Sequence, residues 1–225
     1  MEKYEIIMFD LDGTLTDSKI GITKAVKYAL SKYDIKVEGL DGLERFIGPP
    51  LYESFKEFYS FPDEKIKEVI DYHREYYADK GIYENQVYSD IPMLLEELKK
   101  KGKILVVATS KPTIFAKKIL EHFNLDSYFD LVVGSNLDGT RTLKAEVIQH
   151  ILSELDIKDL KKVVMVGDRK HDVIGANKNH IDSIAVAYGY GSKQELEEAN
   201  PTYYVNTVKE IINIIESQKV SDYVQ

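Results

Sequence analysis

A chain of 225 residues that is 44% hydrophobic is long enough for one large domain, or one domain with a smaller insert, and apolar enough to fill a core, which excludes wholesale disorder. Its formal net charge of -8 at pH 7 argues against nucleic acid or an anionic membrane as the main partner. The absence of cysteine excludes a disulfide framework, a thiolate metal site and a cysteine nucleophile, and fits a reducing compartment.

No basic-then-apolar leader opens the chain and no apolar stretch reaches membrane-spanning length, so the expected location is the cytoplasm. The first element is Ile6-Ile7-Met8-Phe9, which runs into Asp10-Leu11-Asp12-Gly13-Thr14. A short apolar run bounded by a turn reads as a strand buried on both faces, as in a parallel sheet. It delivers Asp10 and Asp12 to the carboxyl edge of that sheet, where open α/β folds bind ligands. Two adjacent acids repel, and burying them is costly unless a cation or a proton compensates, so a metal ion is the simplest explanation.

Asp17 or Ser18 can cap a helix whose face carries Ile22, Ala25, Val26, Ala29 and Leu30. A short helix over 43–47 stops at Gly48-Pro49-Pro50. Pro50 opens a helix with Leu51, Phe55 and Phe58, and Pro62-Asp63 opens another with Ile66, Val69, Ile70 and His73. No strand is expected between 17 and 85. From Tyr88 the pattern changes to helices alternating with apolar runs at 104–108, 131–135, 163–166, 183–187 and 203–205, closed by a helix with Val208, Ile211 and Ile215. That alternation predicts an α/β fold with a doubly wound parallel sheet and right-handed crossovers. The helical block is too long for an ordinary crossover, and reads as an inserted cap at 17–85 on a core of 1–16 and 86–225.

Thr109 follows the second apolar run, Asp168 the fourth, with Asp172 four residues on, and Lys144 opens a helix. Parallel strands bring these to one edge with Asp10 and Asp12. The inventory suits Mg²⁺ and a phosphoryl group: hard carboxylate oxygens for the metal, Lys and Thr for phosphate oxygens. Taken individually, Thr109 reads first as a helix cap, Lys144 as a solvated lysine, Arg141 and Arg169 as solvated cations and Tyr76 and Tyr77 as cap packing, and Asp172 can be only a helix-start acid.

Together, Asp10-x-Asp12-Gly13-Thr14, Thr109, Lys144 and Gly167-Asp168-x-x-x-Asp172 resemble the four motifs of the haloacid dehalogenase superfamily, in order and across the chain. The helical insert resembles its C1-type cap, and Phe46-Ile47-Gly48-Pro49-Pro50-Leu51 resembles a cap segment of the subgroup containing phosphoglycolate phosphatases. The resemblance implies Asp10 as nucleophile and Asp12 as general acid and base. It implies a Mg²⁺ site from Asp10, the Asp12 carbonyl and Asp168, with Asp172 as a ligand or orienter, and phosphoryl contacts from Thr109, Ser110 and Lys144. The cap would lower Gly48 or Arg45 onto the substrate. The expected function is a Mg²⁺-dependent phosphatase acting on a small phosphorylated metabolite through an aspartyl-phosphate, as a monomer or homodimer without nucleic acid or membrane. Phosphoglycolate would call on Arg45, and a 5′-nucleotide on stacking by Phe46 or Tyr52. Pyrophosphatase, sugar phosphomutase and, more distantly, a phospho-receiver module are the alternatives.

Overall fold

In the computed structural model, which describes residues 3–216, the chain opens with β1 (Ile6–Phe9), every residue of it buried. Alternation explains why a strand needs four apolar residues in a row. Ile6 and Met8 join Val147, Ile148 and Ile151 on one face of the sheet, while Ile7 and Phe9 join the larger core on the other.

Next come β2 (Thr16–Asp17) and a helical block of α1 (Lys19–Ser31), a 3₁₀ turn at Asp41–Phe46, α2 (Leu51–Tyr59), α3 (Asp63–Tyr76) and a π turn at Tyr77–Gly81. The chain returns through β3 (Gln86–Val87), which pairs antiparallel with β2. It then alternates: α4 (Ile91–Lys100), β4 (Ile104–Pro112), α5 (Thr113–His122), β5 (Leu131–Ser135), α6 (Lys144–Glu154), β6 (Val163–Gly167), α7 (Lys170–Lys178), β7 (Asp182–Val186), α8 (Lys193–Glu198), β8 (Tyr203–Val205) and α9 (Val208–Glu216).

The six long-range strands form one parallel sheet in the order β5-β4-β1-β6-β7-β8, as the alternation predicts. Register fixes where the polar residues emerge. Phe9 is level with Val107 of β4 and with Val166 of β6. The residues that follow, Asp10, Ala108-Thr109 and Gly167-Asp168, therefore leave the sheet side by side.

The structure corrects three local readings. The segment expected as a helix over 43–47 is the 3₁₀ turn Asp41–Phe46, ended where Ile47 turns extended and Gly48 takes φ +100°. The second strand runs past 108 to Pro112. The two-residue pair β2–β3 and the charged helix α8 carry too little apolar periodicity to be read from sequence. Of the proposed core range, 1–2 and 217–225 lie outside the described residues.

Candidate active site

Asp10 directly follows β1 and is held in place twice through one oxygen. Its Oδ1 accepts from the Leu11 backbone N–H at 2.7 Å and lies 2.8 Å from Lys144 Nζ. Lys144, the first residue of α6, is the hub of the site. Its ammonium also lies 2.8 Å from Asp172 Oδ1 and donates to the Ala108 carbonyl at 2.7 Å. It is 4% exposed, so the reading as a solvated lysine falls. Burial pulls its pKa down, but Asp10 and Asp172 outweigh it and hold the ammonium charged.

Asp168 stands beside Gly167 at the end of β6. Its Oδ2 accepts from the Tyr190 N–H at 2.8 Å and its Oδ1 from the Thr14 hydroxyl at 3.3 Å. Asp172, in the first turn of α7, accepts from the Arg169 N–H at 3.1 Å. Carboxylate oxygens of Asp10, Asp168 and Asp172 all lie within 4.8 Å of one another, and all three residues are buried. One ammonium, paired with Asp10 and Asp172, stands in a cluster of three acids, and the excess negative charge shows in Asp168 and Asp172. Burial, then Asp172 and Asp10, push the Asp168 carboxyl well above the usual range. Burial and Asp10 raise Asp172 to about 6 although Lys144 opposes them. A divalent cation among these oxygens would relieve the strain, and a set of hard donors of this kind suits Mg²⁺.

Gly13 is required where it stands. It adopts φ +84°, and a Cβ there would sit 2.1 Å from Asp168 Oδ2. Only a bare backbone lets the loop after Asp12 pass this close to Asp168.

Asp12 is buried and its two oxygens differ. Among the described residues Oδ1 has no hydrogen-bond partner, and Oδ2 lies 3.1 Å from Lys111 Nζ. Lys111 donates to the Tyr77 hydroxyl at 2.6 Å and sits 4.2 Å from the centre of that ring. Burial lowers the ammonium's pKa, but Asp12 and Tyr77 more than restore it. Lys111 and Tyr77 were not singled out as site residues by sequence. The sequence signal for Lys111 is its place two residues after Thr109.

Asp10 and Asp12 open onto a cavity of about 850 Å³ between the sheet edge and the helices at 19–81. Thr109 and Ser110 line it, as do Gly48, Tyr52, His73 and Tyr77 from the helical side. Thr109 Oγ1 accepts from the Lys111 N–H at 3.2 Å, bracing the turn. Lys144, Asp168 and Asp172 lie against Asp10 rather than in the cavity wall.

Arg45 does not reach the cavity. It is exposed and its guanidinium stacks 4.3 Å from the Phe58 ring centre, because the 3₁₀ turn aims it outward over α2. Phe46 is 2% exposed and packs edge-on against Phe55 and Phe58, so it is wall rather than a free stacking face. Arg169 is buried, not solvated. It donates to the Ile47 carbonyl and pairs with Glu195 at 2.8 Å. Gly48 lies against its stem: a Cβ on Gly48 would meet Arg169 Cγ at 2.8 Å. Arg141 is turned back onto the Gly134 carbonyl at 2.9 Å.

The comparisons with known proteins agree with this geometry. A profile of haloacid dehalogenase-like hydrolases matches residues 7–186. The chain belongs to the haloacid dehalogenase-like hydrolase family. A Pseudomonas aeruginosa relative named 5′-nucleotidase is 44% identical over 215 residues, covering 96% of this chain and 97% of that protein. A Mycobacterium tuberculosis relative named tyrosine-protein kinase PtkA is 36% identical over 201 residues, covering 89% of this chain and 68% of that protein. The crystal structure of a predicted phosphatase from Clostridium acetobutylicum superposes with a TM-score of 0.92 at 53% identity, covering 94% and 97% of the two chains. Within the haloacid dehalogenase-like hydrolases this chain is a phosphatase of phosphate monoesters. Among the described residues, no helix is long and apolar enough to cross a membrane.

Proposed function

We propose that the protein is a Mg²⁺-dependent phosphatase that hydrolyses small-metabolite phosphate monoesters through a phosphate carried on Asp10. The observation that carries this is the meeting of Asp168 and Asp172 with Asp10, which lines the cavity, with Lys144 paired to Asp10 and Asp172. Bound by Asp10, Asp168 and Asp172, Mg²⁺ would neutralise charge on the phosphoryl group and on the acids that hold it. With Oδ1 of Asp10 tied to Leu11 and Lys144, Oδ2 attacks phosphorus, forming the Asp10–phosphate bond as the ester oxygen leaves. Asp12 gives that oxygen its proton, then removes a proton from the water that breaks the Asp10–phosphate bond. Lys111 orients the Asp12 carboxylate for both steps. Thr109 and Ser110 contact the phosphoryl oxygens, and the helical block at 17–85 acts as a cap that excludes bulk water.

Two substrate readings differ in their support. The phosphoglycolate reading relies on Arg45 for the substrate carboxylate, and Arg45 lies outside the cavity. A nucleoside monophosphate reading is favoured by the roomy cavity and by the name of the P. aeruginosa relative. The test is an ester panel containing nucleoside monophosphates, phosphoglycolate, pyrophosphate and sugar phosphates, assayed with Mg²⁺. Hydrolysis of several monoesters that stops on chelation and returns with Mg²⁺ is the expected result. Activity indifferent to chelation contradicts it, and phosphate transfer between two sugar positions would make the enzyme a mutase.

The acid cluster gives a stability signature. A carboxyl whose pKa rises from 3.8 unfolded to about 6 folded, as for Asp172, favours the folded state at low pH. That contribution is present below about pH 4 and is lost as pH rises to about 6. Buried His73 and His171, lowered to about 3 and about 4, act in the opposite sense. The informative quantity is therefore the melting difference between wild type and Asp172→Asn in chelator. The wild type should lose ground to the variant between pH 4 and 6. Mg²⁺ at a hundredfold excess over its Kd should stabilise the wild type by about 2.7 kcal/mol. A pH-independent difference and no Mg²⁺ effect would contradict the metal assignment.

A further inference from the structure

We propose that His73 selects the substrate by hydrogen-bonding an uncharged donor–acceptor group on the part of the ester that does not react, of the kind a nucleoside's base or sugar hydroxyls present. The proposal rests on the phosphatase reading and deepens it. His73 lies on α3, lines the cavity and is 5% exposed. Neither of its ring nitrogens has a hydrogen-bond partner among the described residues. Buried polar atoms are nearly always bonded, so a pair of them facing a ligand cavity points to a ligand.

The ring is held in one orientation. It stacks on Tyr77, with centroids 5.7 Å apart and planes 13° from parallel, and Tyr77 in turn meets Phe115 edge-on at 5.7 Å. The Tyr77 hydroxyl is fixed by Lys111, which lies against Asp12. The imidazole is thus two side chains removed from the proposed acid, a spacing that suits the far end of a small ester.

It is also neutral. Burial, then the charges of Lys111 and Arg74, hold its pKa down to about 3. A neutral imidazole offers one donor and one acceptor, which matches an amide edge or a hydroxyl and gives a carboxylate or second phosphate no charge to meet. The other cavity groups agree. Lys111 is occupied by Asp12 and Tyr77, and Arg74 donates to the Leu137 carbonyl at 3.0 Å. Glu53, Asp63, Asp71 and Lys67 line the cap side, all four at the exposed rim. A second anion would meet more negative than available positive charge there.

The test uses the Mg²⁺-loaded wild type, His73→Phe, which keeps the stacking, and His73→Gln, which keeps a donor and an acceptor. The readout is the ratio of kcat/KM for adenosine or uridine 5′-monophosphate to that for phosphoglycolate. The wild type should favour the nucleotide. His73→Phe should cut the ratio about tenfold or more through KM, and His73→Gln should restore most of it. An equal fall for all esters, leaving the ratio unchanged, means a packing role and overturns the inference, as does a wild type that prefers phosphoglycolate. Calorimetry with adenosine and uridine, which carry no phosphate, reads the same contact in folded wild type. Nucleoside binding without hydrolysis of any ester would overturn the phosphatase reading and leave that of His73 standing. Hydrolysis of esters without nucleoside binding would do the reverse.

Discussion

Asp10→Asn removes turnover of every ester, lowering kcat by about a thousandfold or more, and leaves a folded protein. The activity is lost because an amide is too poor a nucleophile to form a bond to phosphorus. The fold survives because the amide oxygen can still accept from Leu11 and Lys144, the two groups that now hold Oδ1. One acid fewer also eases the repulsion that raises Asp168 and Asp172, so the variant in chelator should melt no lower than wild type. Steady-state assays with Mg²⁺ and thermal melts check both halves. A fully active variant would show that another residue attacks.

Lys144→Met has the largest expected effect on stability, a loss of about 3–5 kcal/mol, together with activity. Among the described residues Lys144 is the one cation touching both Asp10 and Asp172, and all three side chains are at most 5% exposed. Without the ammonium, three acids share a site with no positive charge among them until a metal arrives. Part of the lost stability should therefore return with Mg²⁺, more than the wild type gains, while activity stays low. Chemical denaturation with and without Mg²⁺ measures this. A variant as stable as wild type in chelator would mean that the cluster is already neutral, with its acids protonated.

Much of this arrangement could be read from the chain because a parallel sheet turns sequence position into spatial position. Apolar runs ending at Phe9, Ala108 and Val166 predict three strand ends at one edge, and the observed register sets Phe9 level with Val166 and with Val107, one residue before Ala108. Asp10, Asp168 and Asp172 follow from that, whereas Lys144, at the start of α6, rests on the family resemblance. What escaped the sequence depended on the direction of single side chains. Arg45 was the obvious cap cation, but it belongs to a 3₁₀ turn that aims it over Phe58. Arg169 looked like a surface residue, yet it bridges Ile47 and Glu195. Lys111 gave no periodic signal, and only the turn braced by Thr109 brings it against Asp12. His73 falls on the apolar face of α3 with Ile66 and Val69, so the same periodicity that found the helix disguised its polar ring as core.

Wild-type enzyme mixed with substrate and Mg²⁺, quenched in acid within one turnover and digested, tests the central claim most directly. The account predicts phosphate on the peptide containing Asp10, located to that residue by fragmentation, appearing no later than free phosphate and missing from Asp10→Asn. Rapid turnover with phosphate on a different residue, or with none on the protein at any time point, would contradict it.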